Sequence, residues 1–160
     1  MPIKILKADY NNESHCKDLM FLLNAYAEDP MGGGAPLSDY TVQNLCNELR
    51  KRNNVFSLLC YVDDKPAAVC NCVEGFSTFK AKPLLNIHDM GVVSEFRGLG
   101  LSHKLMDEVE RLAIEMGCCK ITLEVLEGNQ VAKNSYIKFG FEGYELDPEM
   151  GKAMFWEKVL

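Results

Sequence analysis

The chain has 160 residues, 48% of them apolar, and a formal net charge of −6. That is enough apolar chain for a single domain, residues 1–160, with one core; no apolar run reaches the roughly 20 residues of a membrane-spanning helix. The acidic balance argues against a nucleic-acid partner, which asks for a basic face, and suits either a cationic small substrate or plain solubility.

The first residues, Met1-Pro2-Ile3-Lys4-Ile5-Leu6-Lys7, hold no long apolar stretch and no small-residue cleavage site, so they read as a strand, Ile3 to Ala8, and not as a signal peptide. From His15 to Tyr26 apolar residues fall at Cys16, Leu19, Met20 and Leu23, the spacing of one helix face. Glu28-Asp29-Pro30-Met31-Gly32-Gly33-Gly34-Ala35-Pro36 cannot continue a helix and forms a loop. Ser38 is placed to cap a second helix with Val42, Leu45, Cys46 and Leu49 on one face.

Val55 to Val62 and Ala67 to Phe76 read as strands joined by the turn Asp63-Asp64-Lys65-Pro66. A third strand is predicted from Leu84 to Val93, with Gly91 marking a bulge or a close approach by another molecule. The longest helix is predicted from Gly98 to Met116, its buried stripe Leu101, Leu105, Val109, Leu112 and Met116, with Gly117 ending it. Ile121 to Leu126 is a further strand. Asn129 caps a short helix from Gln130 to Phe139, and Phe141 to Leu146 pairs with Ala153 to Val159 in a final antiparallel hairpin. The order predicts an α/β fold: a mixed, mostly antiparallel, seven-stranded twisted sheet covered by four helices.

The seven cysteines, Cys16, Cys46, Cys60, Cys70, Cys72, Cys118 and Cys119, are odd in number, and several lie in apolar runs. They read as buried, reduced thiols of a cytoplasmic protein. Cys70-Asn71-Cys72 and Cys118-Cys119 lack the spacing of a zinc site or a redox pair, so no metal is expected.

The turn Arg97-Gly98-Leu99-Gly100-Leu101-Ser102 joins the third strand to the long helix. A helix start offers unpaired N–H groups and about half a positive charge. The glycines allow close backbone approach, and Arg97 adds a forked cation. This is a pyrophosphate site, or else only a tight strand-to-helix turn. A P-loop would need Gly-Lys-Ser/Thr where Leu101-Ser102-His103 stands, and a dinucleotide fold would need a third glycine and an alternating strand–helix rhythm.

Arg97-x-x-Gly100-x-Ser102, just after Asp89-Met90-Gly91-Val92-Val93, resembles the coenzyme A signature R/Q-x-x-G-x-G/A of the Gcn5-related N-acetyltransferase family, with serine as a small departure in the last position. Asn129-Gln130-Val131-Ala132-Lys133-Asn134-Ser135-Tyr136-Ile137-Lys138-Phe139-Gly140-Phe141 is similar to the family's N-x-x-A-x-x-x-Y-x-x-x-G-F segment. The resemblance implies a sheet whose fourth and fifth strands splay around the pantetheine arm, with acetyl-CoA as cosubstrate and no metal. Carried over by position, it implies that Met90, Gly91 and Val92 meet the pantetheine amides through their backbone. Gly98, Leu99, Gly100, Leu101, Ser102 and His103 would wrap the pyrophosphate beside Arg97. Asn129 would hold the pantetheine arm, and Tyr136 would sit near the thioester sulfur as a proton donor, unless it is an ordinary packing aromatic.

The implied reaction is direct attack of a primary amine on a thioester. At pH 7 only about one alkylamine in a thousand is neutral, so a base or a base-held water is expected. His88 and Asp89 are adjacent on the strand, and strict alternation puts them on opposite faces. His88 is a candidate base or acceptor contact, Asp89 a base or an orienting residue, and Glu124 on the next strand a further carboxylate; each reads equally as structural. Glu28 and Asp29 in the glycine loop are candidates to receive an ammonium group, or are simply solvated. The acceptor is expected to be a small amine such as a polyamine, amino acid or amino sugar. A protein or peptide acceptor, or a non-catalytic coenzyme A-binding module, are the alternatives. Phe155 and Trp156 in the last strand suit either a homodimer contact or the core.

Overall fold

The computed structural model describes residues 1–160. The backbone divides into two compact units, Met1–Leu123 and Glu124–Leu160.

In the first unit five strands form one sheet in chain order: β1 (Ile3–Lys7), β2 (Val55–Val62), β3 (Lys65–Ser77), β4 (Lys82–Val92) and β5 (Ile121–Leu123). The first four pair antiparallel and β5 joins β4 in parallel. A parallel step needs a long crossover, and a helix supplies it. The β2–β3 hairpin turns on Asp63 and Asp64, at φ 49° and 63°. Aspartate is among the few side-chain-bearing residues that accept the left-handed region a two-residue hairpin turn demands.

Phe56 to Cys60 and Ala67 to Cys72 are buried without a break. Such runs belong to strands covered on both faces. On one face lies α1 (Glu13–Glu28), whose Leu19 and Leu22 pack with Ala8, Leu59 and Val69. Cys46 and Leu49 of α2 (Asp39–Arg50) close the edge of that cluster. Opposite lies α3 (Leu101–Glu115), with Leu101, Leu105, Met106, Val109 and Ala113 buried. Asn12 caps α1 through His15 N–H at 3.2 Å, and Ser38 caps α2 through Thr41 N–H at 3.2 Å. The α3 helix starts at Leu101, where its apolar stripe begins, and not at the predicted Gly98, because Gly98 and Gly100 both hold left-handed φ and cannot be helical turns. It ends as expected at Gly117, where the Cys118 N–H reaches back to the Ala113 carbonyl at 2.9 Å.

The third predicted strand differs in one respect that matters. Asn71 pairs with Asp89 and Cys72 with Ile87, so His88 is the extra residue of a β-bulge. The bulge is therefore at His88 and not at Gly91. Gly91 pairs regularly with Val69, and its missing side chain makes room for a protein ring: a Cβ there would sit 3.0 Å from both Cβ and Cδ2 of Tyr26. The β4–β5 ladder runs only from Leu85↔Ile121 to Ile87↔Leu123 and stops where the bulge begins.

The second unit holds α4 (Gln130–Phe139), capped by Asn129 and ended by Gly140 at φ 113°. The sheet has five strands and not the predicted seven. The segments 141–146 and 153–159 make a single bridge, Glu145↔Lys152, beside one hydrogen bond from Ala153 N–H to the Tyr144 carbonyl at 2.7 Å. Asp147 caps a short 3₁₀ turn, Pro148–Met150, in place of a tight hairpin turn, and the Lys152 stem lies over Gly143, 2.9 Å from where a Cβ would stand. With that turn and a glycine inside one segment, the apolar alternation does not extend into a ladder. Phe155 and Trp156 accordingly lie outside any strand and are exposed.

The cysteines also depart in part from expectation. Cys60, Cys70 and Cys72 are buried thiols, but Cys119 is exposed, and Cys16 and Cys46 form a disulfide between α1 and α2. Helical periodicity put both on inward faces without showing that the faces meet. Titration of thiols in denaturant without reductant should find five free groups; seven would show the pair open. Reduction should lower stability by about 2–4 kcal/mol for a loop of this separation, read from denaturant midpoints.

Candidate active site

The turn from β4 to α3 carries the first part of the site. Gly98 and Gly100 hold φ of 83° and 73°, and a Cβ added at either meets nothing within 4 Å. The backbone face of the turn is thus open, and glycine is required by conformation rather than by crowding. Gly100 caps α3 without a side chain, so no side-chain acceptor quenches the N–H groups that open the helix. Leu101 is anchored in the core at 2% exposure, which fixes the direction of the helix start. Ser102 and His103 are half-buried on the following residues, and Leu99 is half-buried within the turn. These features suit a pyrophosphate: open backbone donors, a helix dipole and an adjacent guanidinium.

Arg97 is engaged. Its Nη2 donates to Asp29 Oδ2 at 2.8 Å and its Nε to the Val92 carbonyl at 3.4 Å. Asp29 is itself organised by its own loop: Oδ1 accepts from Met31 N–H at 2.9 Å and caps the turn Pro30–Gly32. The Met31 amide, then the Arg97 guanidinium, hold the Asp29 carboxyl below its ordinary range. The two residues that sequence assigned to different jobs, Arg97 to phosphate and Asp29 to the acceptor, are partners here. Glu28 is exposed and accepts from Asn24 Nδ2 at 2.9 Å.

The second part is β4 beyond the bulge. From His88 to Val92 this strand has β3 on one side only. The Val93 N–H goes to the Ala67 carbonyl of β3 at 2.9 Å, so by alternation Gly91 also turns its backbone groups to β3, while those of Met90 and Val92 lie on the other edge, free of a sheet partner. His88 is exposed, and Asp89 is half-buried. The bulge breaks the alternation from which their opposite facing was expected.

Asp89 stands in register with Asn71 on β3 and, through it, with Ser57 on β2. Asn71 Nδ2 donates to Asp89 Oδ2 at 3.0 Å, and Asn71 Oδ1 accepts from Ser57 Oγ at 2.6 Å. Sequence reading passed over Asn71 and Ser57. The signal was present: each is a lone polar residue in an otherwise apolar strand run. Tyr26 was also missed. It is the last aromatic of α1, and its ring lies on Gly91. Burial pushes its phenol up, and the carboxylates of Asp89 and Asp29 push it further. A protonated phenol and two carboxylates thus share one locus between the end of α1 and β4.

In the second unit, Asn129 Oδ1 accepts from Ala132 N–H at 3.2 Å and so caps α4. Tyr136 packs edge-on against Phe141, with ring centroids 5.9 Å apart. Its carbonyl takes the Phe141 N–H at 2.9 Å across the Gly140 cap. The periodic spacing Asn129, Tyr136, Gly140, Phe141 is therefore one capped helix. Glu124 lies just past the end of β5, not within it, and is exposed. The strand ends at Leu123 because β4 offers it no partner beyond the bulge.

No helix is long and apolar enough to cross a membrane. The family model described as the acetyltransferase (GNAT) family matches residues 19–141. Among solved structures, the chain is similar to a probable acetyltransferase at 21% identity and a TM-score of 0.79, covering 98% of this chain and 99% of that one. It is similar to an aminoglycoside acetyltransferase from an uncultured soil metagenomic sample, in complex with sisomicin (17% identity, TM-score 0.77, 99% and 97% covered). It is also similar to AAC(6')-Iy in complex with the bisubstrate analog CoA-S-monomethyl-acetylneamine (16% identity, TM-score 0.76, 100% of both chains). At these identities the likeness is one of fold, and the matched family model assigns the chain: it belongs to the acetyltransferase (GNAT) family of acyl-CoA-dependent N-acyltransferases.

Proposed function

We propose that the chain transfers an acetyl group from acetyl-CoA directly to a primary amine of a small, cationic acceptor, an amino sugar being the favoured class. The observation that carries this reading is the locus of Asp89, Asp29 and Tyr26 beside the free edge of β4. Two carboxylates around one half-buried phenol attract an ammonium group. That one solved structure of the same fold carries the name of an aminoglycoside acetyltransferase, and another is bound to a bisubstrate analog built on acetylneamine, supports the amino-sugar class.

In this reading the free edge at Met90 and Val92 lines the pantetheine arm. Arg97 and the backbone from Gly98 to His103 hold the pyrophosphate. Arg97 must then share itself between Asp29 and phosphate. A phosphate drawing Arg97 away releases the Asp29 carboxylate, which adds to the charge that receives the acceptor. Asp89 takes the ammonium proton, directly or through a water, and the freed amine attacks the thioester carbonyl. A carbon–nitrogen bond forms and the carbon–sulfur bond breaks. Tyr136 supplies a proton to the departing thiolate, and the proton shed by the new amide nitrogen passes back, through water, to restore the phenol. His88, exposed at the bulge, and Glu28 and Glu124 contribute acceptor contacts or charge at the rim.

The first test is a panel of amines with acetyl-CoA and detection of released thiol. Cationic amino sugars should be turned over, and no release with any amine would reject the reading. With the best acceptor, Asp89→Asn should lower kcat/KM about 10²-fold or more, the usual weight of a general base, while acetyl-CoA affinity is kept. Tyr136→Phe should lower kcat more than it weakens acetyl-CoA binding; equal turnover removes the phenol from the mechanism. Arg97→Ala should weaken acetyl-CoA by about 10- to 100-fold, the value of a lost charge-assisted contact, whereas Asp29→Asn should leave that affinity equal or tighter by calorimetry.

A further inference from the structure

Four side chains on one face of the sheet form a single hydrogen-bonded line. The Tyr10 hydroxyl lies 2.8 Å from Ser57 Oγ, Ser57 Oγ donates to Asn71 Oδ1 at 2.6 Å, and Asn71 Nδ2 donates to Asp89 Oδ2 at 3.0 Å. Ser57 has one proton and gives it to Asn71, so Tyr10 is the donor at the first step. The amide orientation follows from chemistry. A carboxylate only accepts, so the NH₂ end must face Asp89 and the carbonyl must face Ser57. Every bond in the line therefore points the same way, toward the Asp89 carboxylate.

The line runs through the core. Ser57 is 0% exposed and Asn71 8%, among Leu58, Leu59, Cys70 and Cys72, all buried. Well-packed apolar residues would fill these positions without any desolvation cost, so the line is not needed to stabilise the sheet. Nor is it a proton wire, because an amide does not take a proton on Oδ1 or lose one from Nδ2 at neutral pH. What it does is geometric. Asn71 is immobilised at both ends by a fully buried partner and by strand register, and it holds Oδ2 of Asp89, leaving Oδ1 as the oxygen that Asn71 does not engage.

We infer that Asn71, locked by Ser57 and Tyr10, is a positioning residue that fixes the Asp89 carboxylate with Oδ2 tied and Oδ1 presented to the acceptor's ammonium group. The inference rests on the proposed role of Asp89 toward the acceptor. It adds a specificity consequence: a carboxylate held by one oxygen offers a single fixed acceptor, so the enzyme selects primary amines that reach that point and not amines of any approach.

The test is a double-mutant cycle on the whole chain, with kcat and KM for the best amine of the panel and calorimetric acetyl-CoA affinity measured on each variant. Asn71→Leu keeps the branched shape and the number of heavy atoms and removes the donor. It should lower kcat/KM for the acceptor about 10- to 100-fold, as misplacement of a reacting group does, with acetyl-CoA affinity unchanged. In an Asp89→Asn background the same substitution should add less than about a twofold change, because residues acting as a unit are non-additive. Ser57→Ala should give a smaller loss with the same non-additivity, and it replaces Asn71→Leu in the cycle if that variant does not fold. Impaired Asp89→Asn with fully active Asn71→Leu and Ser57→Ala would overturn the inference, as would losses that add fully to that of Asp89→Asn. A fully active Asp89→Asn would instead overturn the proposed role of Asp89, and the inference with it.

Discussion

The structure turns on one extra residue in β4. At His88 the strand takes a bulge, and at the same level β5 leaves its side. Before that point β4 is an ordinary internal strand. After it, β4 has a paired edge against β3 and an unpaired edge from His88 to Val92. Unpaired backbone inside a folded unit is costly unless something meets it. A ligand with amide groups along an extended arm can do so, and the turn at 97–102 then lies directly downstream for its phosphates. The same parting explains why β5 is only Ile121–Leu123. One local irregularity thus sets the length of a neighbour and the opening of a site.

The α1 face adapts to that strand with two unlike devices. Where Gly91 lacks a side chain, the Tyr26 ring comes down onto the backbone. One pleat repeat earlier, the sheet carries Asp89, Asn71 and Ser57 side by side, each in register with the next. The first device brings a phenol to β4, and the second orders a carboxylate. The α3 face, by contrast, is apolar at Cys60, Cys70, Cys72 and Ile87 and serves packing. The two faces of one sheet are thereby divided between apolar packing and a polar hydrogen-bonded line.

Much of this was legible from residue order. Ser38 and Asn129 marked their helix starts because a short polar side chain before an apolar period has one main use there. Gly117 and Gly140 marked two helix ends for the complementary reason. The tight strand-to-helix turn at 97–102 was legible because its conformation is local: two glycines that take left-handed φ just before the helix start. What was not legible depends on register between distant segments. Nothing in Ile87-His88-Asp89-Met90-Gly91 says which residue lacks a partner, and the glycine was the natural but wrong choice for the bulge. The Arg97–Asp29 pair joins positions 68 residues apart, and the Cys16–Cys46 bond joins two helix faces whose contact only the fold decides. The final hairpin failed differently: alternation is necessary for a ladder but Gly143 and the 148–150 turn prevent it from propagating.

The central claim is that the free edge of β4 and the α3 turn together receive acetyl-CoA, and backbone amides report on it directly. Hydrogen exchange should be measured across residues 88–103, with and without saturating acetyl-CoA. Added protection should appear at Met90 and Val92 and from Gly98 to His103, while amides of β1, remote from the turn in the sheet order, keep their rates. Binding of acetyl-CoA without protection in either segment would contradict the account.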